Sequence, residues 1–397
     1  MNLKQNIWLM DTIALLQGMV FYGPIATRYR QTAGLSIFQI TLIESISLVI
    51  CLALELPWGI VADKIGYRKT MIVCCALYFL SKIIFWQARE FAGFLLERIV
   101  LSITMAGLSG VDASILYLSS AEGRSQKAFG IYNSLQTTGL LLASFLYSFL
   151  IRDNYRLAAF LTAICYGAAA LLSFGLKEVK PDGKMPSPAP AGFLLLLKRM
   201  FQNKRFLLFL VGVAFLNETH QTVTVFLNQL QYVKCGLSNA GIGYAYIGAT
   251  VAGLSGAGSA RITRRLGTMW SASIFYGTSA AACIVLAVTR NAWLSVAAIV
   301  LLRISFSLFQ PLQTDLQSKS VTTQDRATEL SVNAVLIDCV GVGTNLVYGK
   351  LADTHLPAAL FTGAALCLAG YAGFCIWFAG RRSVVTGEKM PKNKAGE

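Results

Sequence analysis

The sequence predicts an all-α membrane protein with twelve transmembrane helices in two pseudo-symmetric six-helix bundles. Three observations predict it. Of 397 residues, 55% are hydrophobic and only 13% are charged, against roughly 25% charged in a soluble domain. The apolar residues gather into twelve runs of about 20, the length that crosses a hydrocarbon core of roughly 30 Å. The two halves also echo each other at an offset of about 200 residues, as in a chain built from two related units. Gly66 matches Gly267, Arg98 matches Arg303, and the stretch from Gly123-Arg124 to Asn133 resembles that from Asp325-Arg326 to Asn333.

The runs cover 6–27, 36–61, 70–88, 91–118, 128–151 and 157–176, then 206–230, 239–260, 269–289, 292–318, 329–350 and 358–379. An even number puts both termini on one side. Roughly 23 of the 34 Lys and Arg fall on that side, against about 8 in the opposite loops, and this excess predicts cytoplasmic termini in a plasma (inner) membrane. Between the sixth and seventh runs lies the one long link. It opens as a Pro-rich segment, Lys177-Glu-Val-Lys-Pro-Asp-Gly-Lys-Met-Pro-Ser-Pro-Ala-Pro190, and continues through Gly192 to Arg205 as an apolar and basic stretch suited to the interface. The expected organisation is an N-terminal bundle over 1–176, a cytoplasmic linker over 177–205, a C-terminal bundle over 206–379 and a basic tail over 380–397. Pro24, Pro57 and Pro311 lie in the first, second and tenth spans and are expected to bend them.

Composition excludes several functions. The net charge of +15 is spread among short loops rather than gathered on one face, so membrane topology explains it and nucleic acid is not an expected partner. The nine cysteines lie almost all inside apolar runs without C-x-x-C spacing, and there are two histidines. This argues against a disulfide framework or a metal site. Asp11 interrupts the first apolar run, which therefore reads as a retained helix rather than a signal peptide. No Ser/His/Asp, metal or nucleotide-binding constellation appears. Gly241-Ile-Gly243 and Gly256-Ala-Gly258 fall within a span as packing glycines.

The link after the second span reads Pro57-Trp-Gly59-Ile-Val-Ala-Asp63-Lys-Ile-Gly66-Tyr-Arg68-Lys69-Thr70. Taken alone, a Gly/Asp/Gly/basic loop is also an ordinary polar turn. Its spacing resembles the G-x-x-x-D-x-x-G-x-[RK]-[RK] loop of the major facilitator superfamily, and the resemblance extends over the whole chain through the twelve spans and central link. In the fourth span, Arg98 to Ala113 resembles that family's Arg/Gly motif, and Gly110-Val-Asp112-Ala is similar to a run in its drug/proton antiporter branch. The resemblance implies a conformational latch made of Gly59, Asp63, Gly66, Arg68, Lys69 and Asp112. Asp63 would face the start of the eleventh helix, and a basic residue would pair with Asp112. Two departures stand out. Tyr67 holds the position of the usual latch Arg, so Arg68 or Lys69 would substitute, and the fifth span keeps Gly139 but lacks the exporters' Gly-Pro.

A charge at mid-membrane costs roughly 2.5–3.5 kcal/mol on insertion scales, so each one asks for a partner, a water-filled cavity or a function. Glu218 and Arg303 lie near mid-depth of the seventh and tenth spans, which line the cavity in the family. Glu218 is the first candidate for proton coupling, with Asp11 and Asp338 after it. The alternatives are a permanent Glu218–Arg303 ion pair or a peripheral position. Candidates for substrate binding are Arg98, Arg303, Glu44, Asn217, His220, Gln221, Phe306 and Gln310. Arg98 and Asp112 are about 21 Å apart along one helix, so Arg98 is expected to meet Glu44 or a substrate. Lys82 is expected to snorkel or pair. Aromatic residues in the spans suit an amphipathic solute, although most such residues are ordinary packing.

The resulting expectation is a proton-coupled secondary transporter working by alternating access, most directly efflux of amphipathic organic compounds by drug/proton antiport. It would need no cofactor, the proton gradient being the energy source. Its partners would be a small-molecule substrate, protons and membrane lipid, with the protein a monomer. One alternative is a symporter or exchanger of a small organic anion clamped by Arg98 and Arg303. An alternative from another class is a non-transporting membrane sensor.

Overall fold

The computed structural model describes residues 4–108, 111–120, 125–179, 201–320 and 326–387. Among the described residues every regular element is helical. Eleven stretches are long and apolar enough to cross a membrane, and the twelfth crossing is divided. The helices are α1 (Lys4–Thr32), α2 (Ile37–Ile65), α3 (Tyr67–Gln87), α4 (Phe91–Leu108 and Val111–Ser119), α5 (Ser125–Leu146, continuing to Ile151) and α6 (Tyr155–Ser173). After the linker come α7 (Lys204–Lys234), α8 (Asn239–Ala252, Gly253–Gly258 and Ser259–Leu266), α9 (Thr268–Val288), α10 (Ala292–Ser320), α11 (Arg326–Thr354) and α12 (Leu356–Gly387). The middle of α8, Gly-Leu-Ser-Gly-Ala-Gly, tightens into a 3₁₀ segment, as a glycine-rich sequence permits.

Side chains written into the sequence start these helices. Asn154, Asn203 and Ser238 accept the N–H three residues on at the starts of α6, α7 and α8, satisfying donors that a helix cannot pair internally. Ser36 and Gln39 form a reciprocal capping box at the start of α2. The polar link expected from Pro57 to Thr70 is far shorter than it reads. Helix runs through Pro57 to Ile65 and resumes at Tyr67, with Gly66 alone between them at φ 93°. Gly267 separates α8 from α9 at φ 82°, so the repeat seen in the sequence is also a repeat of backbone geometry. A side chain at either position would meet the left-handed penalty that glycine avoids.

The two halves meet at one end. Hydrogen bonds join them toward the end opposite the termini, here called distal. The Arg28 amide donates to Gln229 at 3.0 Å, Asn239 donates to Asp153 at 2.6 Å and to the Tyr155 hydroxyl at 2.7 Å, and the Ser45 hydroxyl donates to the Val342 carbonyl at 3.3 Å. Residues of both halves share a core there, including Tyr22, Ile25, Ile37, Val223 and Phe226. Toward the termini the first half has a core of its own around Met10, Ala62, Met71, Ile115 and Leu176. The protein is therefore closed distally, and among the described residues the first half keeps a core of its own toward the termini.

Candidate functional site

The second half builds its site on α7. Glu218 is buried, and a Cβ placed on Gly341 of α11 would stand 2.6 Å from its Oε1, so the carboxylate rests on a glycine backbone. Its Oε2 has no hydrogen-bond partner among the described residues. Among the described residues, the charged groups close enough to act on it are two further carboxylates, Asp338 of α11 and Glu44 of α2. The same side of α7 is pinned to α11 by Thr219 with the Tyr348 hydroxyl and by Thr222 donating to Asn345, both at 2.8 Å. Past these residues the helix widens by one residue per turn between Thr222 and Leu227, a feature frequent at functional sites.

The Glu218–Arg303 ion pair, one of the alternatives for Glu218, is not formed among the described residues. Arg303 of α10 donates instead to Nε2 of His220 at 3.1 Å. The guanidinium has only donors, so Nε2 accepts and the ring proton sits on Nδ1, a neutral imidazole. The His220 ring lies flat on Phe306 of α10, with centroids 3.8 Å apart and planes 7° apart. The reason is rotational. Residues 218 and 220 are two apart, about 200° around a helix, so one faces α11 and the other α10. Asn217 and Gln221, one turn apart, occupy a further face, and Gln221 and Gln310 are exposed.

In the first half, Arg98 and Glu44 form the expected pair at 2.6 Å, with side chains 20% and 15% exposed. One residue away, Glu97 is buried between Arg30 and Lys82, both at 3.7 Å. The Lys82 ammonium also stands over the rings of Tyr78 at 5.1 Å, Tyr166 at 5.3 Å and Tyr22 at 5.8 Å, an aromatic enclosure favourable to a cation. The sequence does not single out Glu97, whereas Lys82 is expected from it to snorkel or pair. It pairs. The signal was the apolar setting of Glu97 next to an Arg, with a Lys within reach on a neighbouring span. Asp11 is half-buried on α1, next in sequence to the core residue Met10 of the terminal end.

The loop between α2 and α3 is held by its own half. Glu178, just after α6, accepts the Arg68 amide at 3.3 Å and lies against Gly66, and the Arg68 guanidinium donates to the Phe174 carbonyl at 3.1 Å. Lys69 is exposed. Asp112 accepts from the Ala113 amide at 2.7 Å and from the Tyr132 hydroxyl, so Arg68 does not pair with it here. The surroundings of Gly59 and Asp63 lie outside the described residues, as do most of the linker and the end of the tail.

Comparison with known proteins settles the family. The profile of the Major Facilitator Superfamily matches residues 7–343. The chain belongs to the Major Facilitator Superfamily. That family consists of transporters rather than enzymes, and membership with eleven apolar helices makes this a multi-pass membrane protein. An uncharacterized MFS-type transporter of Methanocaldococcus jannaschii is 27% identical over 148 residues, which are 36% of this chain and 38% of that relative's length. Among solved structures, a crystal structure of the nucleoside transporter NupG superposes with a TM-score of 0.81 at 15% identity, over 94% of this chain and 99% of that one. A bacterial homolog of the human lysosomal transporter Spinster, inward-facing and unoccupied, gives 0.74 at 16%, over 97% and 98%. The human organic anion transporter MFSD10 gives 0.62 at 15%, over 94% and 99%. At these identities the superpositions establish the fold and nothing finer.

Proposed function

We propose that the chain is a proton-coupled secondary transporter that moves amphipathic organic compounds by alternating access, with drug/proton antiport as its working form. The observation that carries this reading is Glu218, a buried carboxylate with no cation in salt-bridge range among the described residues and further carboxylates as its charged neighbours. A buried acid in that setting is neutral unless a cation or water reaches it. Opening its surroundings by rocking the two halves would release a proton, and closing them would recapture it. One proton crossing 100 mV supplies about 2.3 kcal/mol. Asp338 and Glu44 would tune Glu218, and Gln221, Gln310 and Phe306 would face the solute. On this reading the termini are cytoplasmic in a plasma membrane, the distal seam is external, and the conformation described above is inward-facing.

Arg303 favours a second reading, export or exchange of a small organic anion. Its one hydrogen-bonding partner among the described residues is a neutral imidazole, which leaves the guanidinium charge available to a carboxylate or phosphate. A clamp by both arginines loses support, because Arg98 is engaged by Glu44. The test is proton release from purified protein on adding lipophilic cations or organic anions, in wild type and Glu218→Gln. Release on adding cations, absent in the variant, supports antiport. Binding of anions alone, with the variant behaving as wild type, supports the second reading.

A further inference from the structure

We propose that Asp353, at the distal end of α11, is the latch that holds the distal end shut, by capping the start of α2 across the seam between the halves. The proposal rests on the alternating-access reading. Its basis is an accounting of the backbone donors at the start of α2. The first N–H groups of a helix have no internal partner. The Ser36 amide donates to the Gln39 side chain, the Gln39 amide to the Ser36 hydroxyl and the Ile40 amide to the Ser36 carbonyl. Two donors remain, the amides of Ile37 and Phe38. Both go to Asp353, at 2.6 Å to Oδ1 and 3.0 Å to Oδ2. The local sequence of α2 thus caps part of its own terminus, and the other half of the protein supplies the rest.

The contact has the properties of a reversible bond. It joins a carboxylate to the positive end of a helix dipole, which is attractive. Asp353 is also exposed, so water can replace it on both partners when the seam opens, and the exchange is small in free energy. The seam below is shaped to close fully. One turn earlier on α11 is Gly349, where a Cβ would meet the Thr41 hydroxyl and the Phe38 Cα, and further along Ser45 reaches the Val342 carbonyl. Val342, Gly349 and Asp353 therefore form one stripe of α11 toward α2. A second stripe about a quarter of a turn around the helix, Gly341, Asn345 and Tyr348, carries the contacts to Glu218, Thr222 and Thr219 of α7. A single rigid helix thus connects the distal latch to the seat of the buried acid. At the terminal end Gly66 and the Arg68 amide meet Glu178 of their own half.

The test is a spin-label distance between cysteines at Thr32 and Arg290, exposed distal positions on the two halves, with the reactive native cysteines replaced. It is measured in nanodiscs for the otherwise wild-type protein, Asp353→Asn, Asp353→Glu and Ile37→Pro. The last removes one donor at the first helical position, where proline is tolerated, so it breaks the contact without touching Asp353. The expected result is a rise of roughly five- to tenfold in the ratio of long to short distances for Asp353→Asn and Ile37→Pro, the scale of losing a cap. Asp353→Glu should stay closer to wild type. Distributions in Asp353→Asn and Ile37→Pro that match wild type would overturn the latch. Solute-driven proton release from the same samples reports on the transport reading separately. Longer distances without any such release would uphold the latch and count against the transporter.

Discussion

Glu218 and His220 stand two residues apart on α7 and face different helices, the first resting on Gly341 of α11 and the second accepting from Arg303 of α10. The acid and the base of the second half are thereby kept apart. A salt bridge between them would have fixed both charges permanently. On the proposed reading, their separation leaves the acid free to exchange a proton and the guanidinium free to meet a solute.

Glu218→Gln keeps shape and hydrogen-bonding size while removing the titratable oxygen. Solute-driven proton release should disappear, while the apparent melting temperature in detergent should hold or rise, since no cation among the described residues loses a partner. A fall of many degrees would mean that Glu218 is a structural partner after all.

Gly341→Ala should disturb the same step from the other side. The added methyl would stand 2.6 Å from Oε1 of Glu218, and overpacking of this kind costs roughly 1–3 kcal/mol unless the neighbour moves. The expected result is a clear loss of proton-coupled transport. Gly343→Ala is the control, because a Cβ there meets nothing within 4 Å, and it should transport as wild type does.

Glu97→Gln should be the most destabilising of the single charge changes. It leaves Arg30 and Lys82 buried without their shared carboxylate, and breaking a buried pair from one side costs roughly 3–5 kcal/mol. Thermal unfolding should show a drop of several degrees. Glu44→Gln should cost less, because the Arg98–Glu44 pair is partly exposed and water can take the place of the lost partner.

Arg303→Met separates the two readings of the substrate. If anions are recognised, their binding by calorimetry should fall at least tenfold while lipophilic cations bind as before. Arg303→Lys should restore part of the affinity, since an ammonium keeps the charge but not the planar fork.

Much of this fold is legible in the sequence because a bilayer imposes one length and one polarity on each crossing. The twelve apolar runs, the repeat joining Gly66 to Gly267, and the Arg98–Glu44 pair all follow from depth and spacing. Rotation is less legible. Depth alone brings Glu218 and Arg303 together, whereas the direction of each side chain depends on how α7 packs against α10 and α11. The Glu97 cluster was missed for a related reason. Its three members come from three different helices, and no local pattern announces a meeting of Arg30, Lys82 and Glu97. The link at Gly66 reads longer than it is because polar residues such as Lys64 and Arg68 lie on helices where these emerge from the apolar zone. Asp353 looks like an ordinary residue at a helix end until the two unpaired amides of α2 are counted.

The most direct test of the central claim uses proteoliposomes carrying an interior pH dye. A panel of amphipathic solutes is added without an imposed gradient, and proton movement is recorded for wild type and Glu218→Gln. The account predicts solute-dependent proton flux in wild type and none in the variant. Equal flux in both, or solute transport without proton movement in either, would contradict it.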